Sequence, residues 1–155
     1  MRQIAFMMAV LSAAAAVGQS SAEMSLCDLV PERVFDKGYV LLRGRIAFTM
    51  HGTAFMRERC NSSPPGVAVM FPGREGTPHV DFQLEPKDLA QLEPYFRPEG
   101  GAAIACGVLV GQIFYKKNFH LHQLGGGPQG NGYGPRHALQ WGLVIQSVKE
   151  IHPCQ

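Results

Sequence analysis

Between residues 40 and 48 the chain alternates. Val40, Leu42, Gly44, Ile46 and Phe48 share one parity and are apolar or glycine; Leu41, Arg43, Arg45 and Ala47 share the other. A period of two places successive side chains on opposite faces, so this segment predicts a half-buried strand with the first set inward. Asp36-Lys37-Gly38 marks a turn before it and His51-Gly52 a tight turn after it. Residues 53–60 then read as the returning strand of a hairpin. Val67 to Phe71 is a short apolar run, as expected of a buried strand, and His79 to Leu84 is expected to extend the sheet.

Only one segment has a good helical period. Pro86 suits a first helical turn, Asp88 favours a helix start, and Leu89, Leu92 and Phe96 follow at spacings of three and four. Pro94 and Pro98 keep it short, and Gly100-Gly101 ends it. Strand character returns from Ala102 to Tyr115, from Phe119 to His122 and from Ala138 to Val148. The last of these has Leu139, Trp141, Leu143 and Ile145 on one face. Gly125 to Pro135 reads as a glycine-rich loop. The expected class is therefore mainly β. The architecture predicted is a five-stranded Greek-key barrel with one short helix between strands three and four.

The first residues bear on compartment. Arg2 precedes an apolar, alanine-rich run from Ile4 to Val17, and Ser20-Ser21-Ala22 offers small residues before Glu23. This is the anatomy of a secretory signal peptide, so residues 1–22 are expected to be cleaved and 23–155 to form one domain. The destination is then a bacterial periplasm or the medium, with no membrane span in the mature chain. The formal charge of +2 is too small for a general polyanion binder, so any preference for anions must come from a local patch.

Cys27, Cys60, Cys106 and Cys154 lie far apart, with no C-x-x-C. That spacing argues against zinc and redox motifs and for two disulfides in an oxidising compartment, in any of three pairings.

Two stretches resemble small exported bacterial proteins, mostly uncharacterised, with an oligonucleotide/oligosaccharide-binding (OB-fold-like) barrel. One comprises C-D-L-V at 27–30 and G-Y-V-L-L-R-G-R at 38–45; the other is G-Y-G-P-R-H-A-L-Q-W-G-L-V-I-Q-S-V at 132–148. The resemblance implies a fold and no reaction.

Candidate chemistry falls into two groups. Arg43 and Arg45 share the outward parity of one strand, and Phe55, Arg57 and Arg59 share one parity of the next. Arginine forks suit phosphate, sulfate or carboxylate, and an aromatic ring beside them suits a base or sugar. A plain solvated face is the alternative. His120 and His122 face one way on a strand, and with His137 they form a candidate zinc or copper set, against the simpler reading of exposed histidines. Gly125, Gly127 and Gly130 satisfy a dinucleotide fingerprint only formally, because Pro128 interrupts and a strand follows. Tyr133 is placed on a binding lip beside that loop. No nucleophile elbow or metalloprotease motif is present, and no cofactor is implied. The expected function is a non-enzymatic exported binding or structural domain for an anionic or sugar-like ligand. The alternatives are a metal-binding protein or metal-dependent enzyme, and an adaptor for a periplasmic protein.

Overall fold

The computed structural model describes residues 22–31, 37–49, 52–58, 60, 66–96 and 103–155. The predicted signal peptide, apart from Ala22, lies outside them, as does Arg59. The described elements are β1 (Glu23–Ser25), β2 (Tyr39–Phe48), β3 (Ala54–Arg57), β4 (Val67–Met70), α1 (Pro86–Phe96), β5 (Ala103–Tyr115), β6 (Leu121–Leu124), β7 (Gly127–Gly130) and β8 (Trp141–Pro153). The molecule is mainly β, as its alternation predicts.

Six strands form one mixed sheet in the order β1-β2-β3-β4-β8-β5, and β5 also pairs with β2. Hydrogen-bonded pairing thus runs from β2 through β3, β4, β8 and β5 back to β2. The β1–β2 and β4–β8 pairs are parallel; β2–β3, β3–β4, β5–β8 and β2–β5 are antiparallel. β6 and β7 form a separate two-stranded sheet.

Three sequence expectations need correction. The helix follows the fourth described strand, not the third, because β1 adds a strand ahead of the alternating segment. Glu-Met-Ser is too short to show a period, and β1 exists through its parallel pairing with Leu41, Leu42 and Arg43. Residues 79–84 form no strand; Val80 and Phe82 instead pack, half-buried, on a small outer cluster of Ala68, Met70, Phe114 and Val144. The glycine-rich stretch contains a strand. Gly127 to Gly130 pairs with β6, although glycine and proline are poor strand formers, because a tight reversal brings the two segments into register.

The main core lies on the inward face of β2. Leu42, Ile46 and Phe48 are fully buried with Met56, Leu109, Ile113, Leu143 and Ile145. Each such side chain contributes about 1.5–3 kcal/mol relative to exposure. The turn after β2 closes through Gly52, whose φ of 71° a side chain would strain. Helix α1 packs over the ends of β2 and β4. Its Leu92 is buried, Tyr95 stacks on Phe48 at 5.4 Å, and Phe96 meets Phe48 edge to face at 5.0 Å and lies 5.4 Å from Phe71. Leu89, expected on the inner face, is among the exposed apolar residues.

Against β5, the register of β8 slips between Val108 and Leu109 and again between Val110 and Gly111. Such bulges bend a strand and disturb its ladder. Asp88, buried in the first turn of α1, accepts a hydrogen bond from the Val148 N–H at 2.9 Å, so the helix start serves one backbone donor at the first slip.

All four cysteines are paired, as Cys27–Cys60 and Cys106–Cys154. The first ties the 3-10 turn after β1 to the chain after β3. The second ties β5 to the tail after β8, whose His152 is the register partner of Cys106. Loops of 33 and 48 residues correspond to about 3–4 kcal/mol each in a chain-entropy treatment. Among the described residues, no helix is long and apolar enough to cross a membrane.

Candidate anion-binding face

The outward parity of β2 and β3 builds this face. In their antiparallel register Arg45 stands directly opposite Arg57, and Ala47 opposite Phe55. Both arginines are exposed. The Arg57 guanidinium lies 5.1 Å from the centre of the Phe55 ring, a cation–π distance. Phe55 thus shares the outer face with Arg57 and is half-buried beneath it. Among the described residues, neither Arg45 nor Arg57 enters an ion pair. Like charges directly opposite across two strands are destabilising, and a bound anion would relieve that repulsion.

Arg43 has a different fate. Its guanidinium is bound to Glu23 and lies 3.2 Å from Glu150. The hydrogen bond from Arg43 holds the Glu23 carboxyl below the usual carboxylate range, and the same bond raises the Arg43 guanidinium. Both side chains are solvent-exposed, so this is a weak clasp between β1, β2 and β8. Its Nε and Nη2 donors are committed, which leaves Arg45 and Arg57 as the arginines of this face without an acid partner among the described residues.

Beside this ladder lies an open depression of about 440 Å³. Arg43, Arg45, Glu58 and His152 line it, with Cys106 and the glycines of β2 and β5 at its floor. The Glu58 Oε2 atom is buried and has no hydrogen-bond partner among the described residues. His152 is turned toward Glu150 and the Pro153 carbonyl, at 3.2 and 3.0 Å. Glu58 lies just past β3, and in the sequence it reads only as an acid that would neutralise the arginine face. Its place between arginines was the only available signal.

A second depression, of about 290 Å³, opens between the turn after β2, the chain after β4 and the glycine-rich segment. Its wall is Val69, Met70 and Phe71, and its rim includes Arg74 and His137. The Arg74 guanidinium sits 4.9 Å from the Phe71 ring centre. No sequence pattern singled out Arg74.

The histidines divide. The rings of His120 and His122 pack edge to face with centres 5.0 Å apart, at the start of the exposed hairpin. His137 instead lines the second depression from a 3-10 turn, where its φ is 53°. Among the described residues no group of three His, Cys, Asp or Glu side chains is placed to hold a metal ion. The three histidine side chains are therefore not grouped as a metal set, although the carbonyl oxygens of His120 and His137 both lie beside Gly130. Tyr133, expected on a binding lip, bridges Leu139 and packs toward Phe114 at 6.5 Å in the outer apolar cluster.

No protein-family model, curated protein or solved structure matches this chain.

Proposed function

We propose that this chain is an exported, non-enzymatic binding domain, built as a five-stranded OB-like barrel. Its ligand is anionic or sugar-like and lies on the outer face of β2 and β3. The strand circuit β2-β3-β4-β8-β5-β2, with one parallel pair and a helix between β4 and β5, supports the barrel reading. Two disulfides support an oxidising compartment, in keeping with the signal-peptide pattern of residues 1–22 and the resemblance to small exported bacterial proteins.

One observation carries the binding role: two exposed arginines directly opposite one another, with no acid paired to either among the described residues. Their forked donors suit phosphate, sulfate or carboxylate oxygens. The test is a titration of the oxidised protein with anionic oligosaccharides and short oligonucleotides at rising salt. Binding is expected to weaken as salt screens the exposed charges and to fall in Arg45→Ala and Arg57→Ala. Binding that ignores both salt and these substitutions would sink the reading.

A further inference from the structure

We propose that the depression between Arg45 and Glu58 receives an acidic saccharide, its carboxylate held by Arg45 and a neighbouring hydroxyl donating to Glu58. This deepens the anion-binding reading of the outer face and rests on it. The two side chains line one cavity of about 440 Å³, within the size range of small-molecule sites. They nevertheless stand further apart than the 4.0 Å of an ion pair. Each is left with an unmet need among the described residues: Arg45 has donors without an acid, and Glu58 lines the cavity with a carboxylate that has no hydrogen-bond or ion-pair partner.

The chemistry narrows what would meet both needs. A ligand that is anionic on every side, such as phosphate or polyphosphate, would put negative oxygen against Glu58. A ligand presenting an ammonium group to Glu58 would bring that cation close to Arg43 and Arg45 and would require it to leave water. A neutral hydroxyl next to a carboxylate avoids both penalties. A sugar acid carries that pair of groups on one rigid ring. Its hydroxyl would make a charge-assisted hydrogen bond to Glu58, and its carboxylate a forked one to Arg45.

The experiment is calorimetric titration of the full oxidised protein with three probes at low salt: a hexuronate trisaccharide, a neutral hexose trisaccharide and tripolyphosphate. The hexuronate is expected to bind at least tenfold tighter than either of the others. Glu58→Met is expected to weaken hexuronate binding about tenfold, or about 1.4 kcal/mol. Glu58→Gln is expected to weaken it less, because the amide oxygen still accepts. Both variants leave tripolyphosphate binding unchanged or tighter, since a repelling charge is gone. Melting points of the variants report whether each still folds, and Gln keeps the shape of Glu. Hexuronate affinity unchanged in both variants, or tripolyphosphate binding as tightly as hexuronate, overturns the saccharide assignment. If Arg45→Ala weakens both anions while the Glu58 variants weaken neither, the anion-binding face stands and this assignment alone fails. If no probe binds, both fail.

Discussion

In the β5–β8 pair, Gly107 and Gly111 are buried against the facing backbone. A Cβ on Gly107 would meet the Glu150 carbonyl oxygen at 2.4 Å, and one on Gly111 would meet that of Val144 at 2.2 Å. The β6–β7 hairpin also contains glycine, yet its β6 residues are all exposed, and a Cβ on Gly125 at its tip would meet nothing within 4 Å. One pair uses glycine to let two strands approach closely where the register slips. At the tip of the other, Gly125 turns in open solvent, although further along that hairpin a Cβ on Gly130 would meet the carbonyl oxygens of His137 and His120 at 2.6 and 2.8 Å. The lesson is that glycine in a strand is not one signal. Where a strand is covered on its face, the missing side chain is a packing requirement; where it is not, the residue is conformationally convenient and replaceable. A lone two-stranded hairpin has little stability of its own, so β6–β7 depends on the sheet that carries it.

The comparison predicts a wide gap between equivalent leucines. Leu109→Ala in β5, fully buried, is expected to lower unfolding free energy by about 2–5 kcal/mol. Leu121→Ala in β6, about half exposed at 49%, is expected to stay within about 0.5 kcal/mol. Denaturant titration measures both. Similar losses at the two sites would mean that the hairpin belongs to the core, and the contrast would collapse.

The glycines sharpen the same point. Gly111→Ala forces a methyl group into backbone and is expected to cost about 1–3 kcal/mol or more. Gly125→Ala has open space and is expected to leave the melting point nearly unchanged. An effect of similar or smaller size comes from the helix start. Asp88→Ala removes the acceptor for the Val148 N–H, at an expected cost of about 1–3 kcal/mol. Asp88→Asn keeps an acceptor oxygen and is expected to lose less. Hydrogen exchange at Val148 separates a local loosening from a global one.

The smallest expected effect is electrostatic. Glu23 titrates below its ordinary value of 4.5 because Arg43 hydrogen-bonds to it. A depressed carboxylate contributes stability that is present above its unfolded value and lost as pH falls through the lower folded value. The Glu23→Gln variant is therefore expected to differ from the parent near neutrality and to converge with it below about pH 4.5. A difference that persists undiminished into strong acid would show that the β1 clasp acts through packing and not through charge.

Part of the fold and of the site was legible in advance. The inward set of β2 is recovered residue by residue, because one buried face imposes a strict period of two. The outward placement of Arg43, Arg45, Phe55 and Arg57 follows from the same parity. What parity cannot say is which arginine meets an acid. Glu23 lies 20 residues from Arg43 in the chain and Glu150 lies 107 away, yet they converge on the same guanidinium, while Arg45, two residues on, meets neither.

The β class, the short helix, the inner and outer faces of β2 and the oxidised use of four cysteines can be read from the chain alone. Each of these rests on local periodicity or residue chemistry. Which cysteines pair, that Glu23–Ser25 adds a strand, that Gly127–Gly130 pairs with β6, and that His137 lines the second depression emerge only from the folded molecule. Those outcomes depend on contacts between segments far apart in the chain. Such contacts are set by register and by the closing of the strand circuit, which no local pattern encodes.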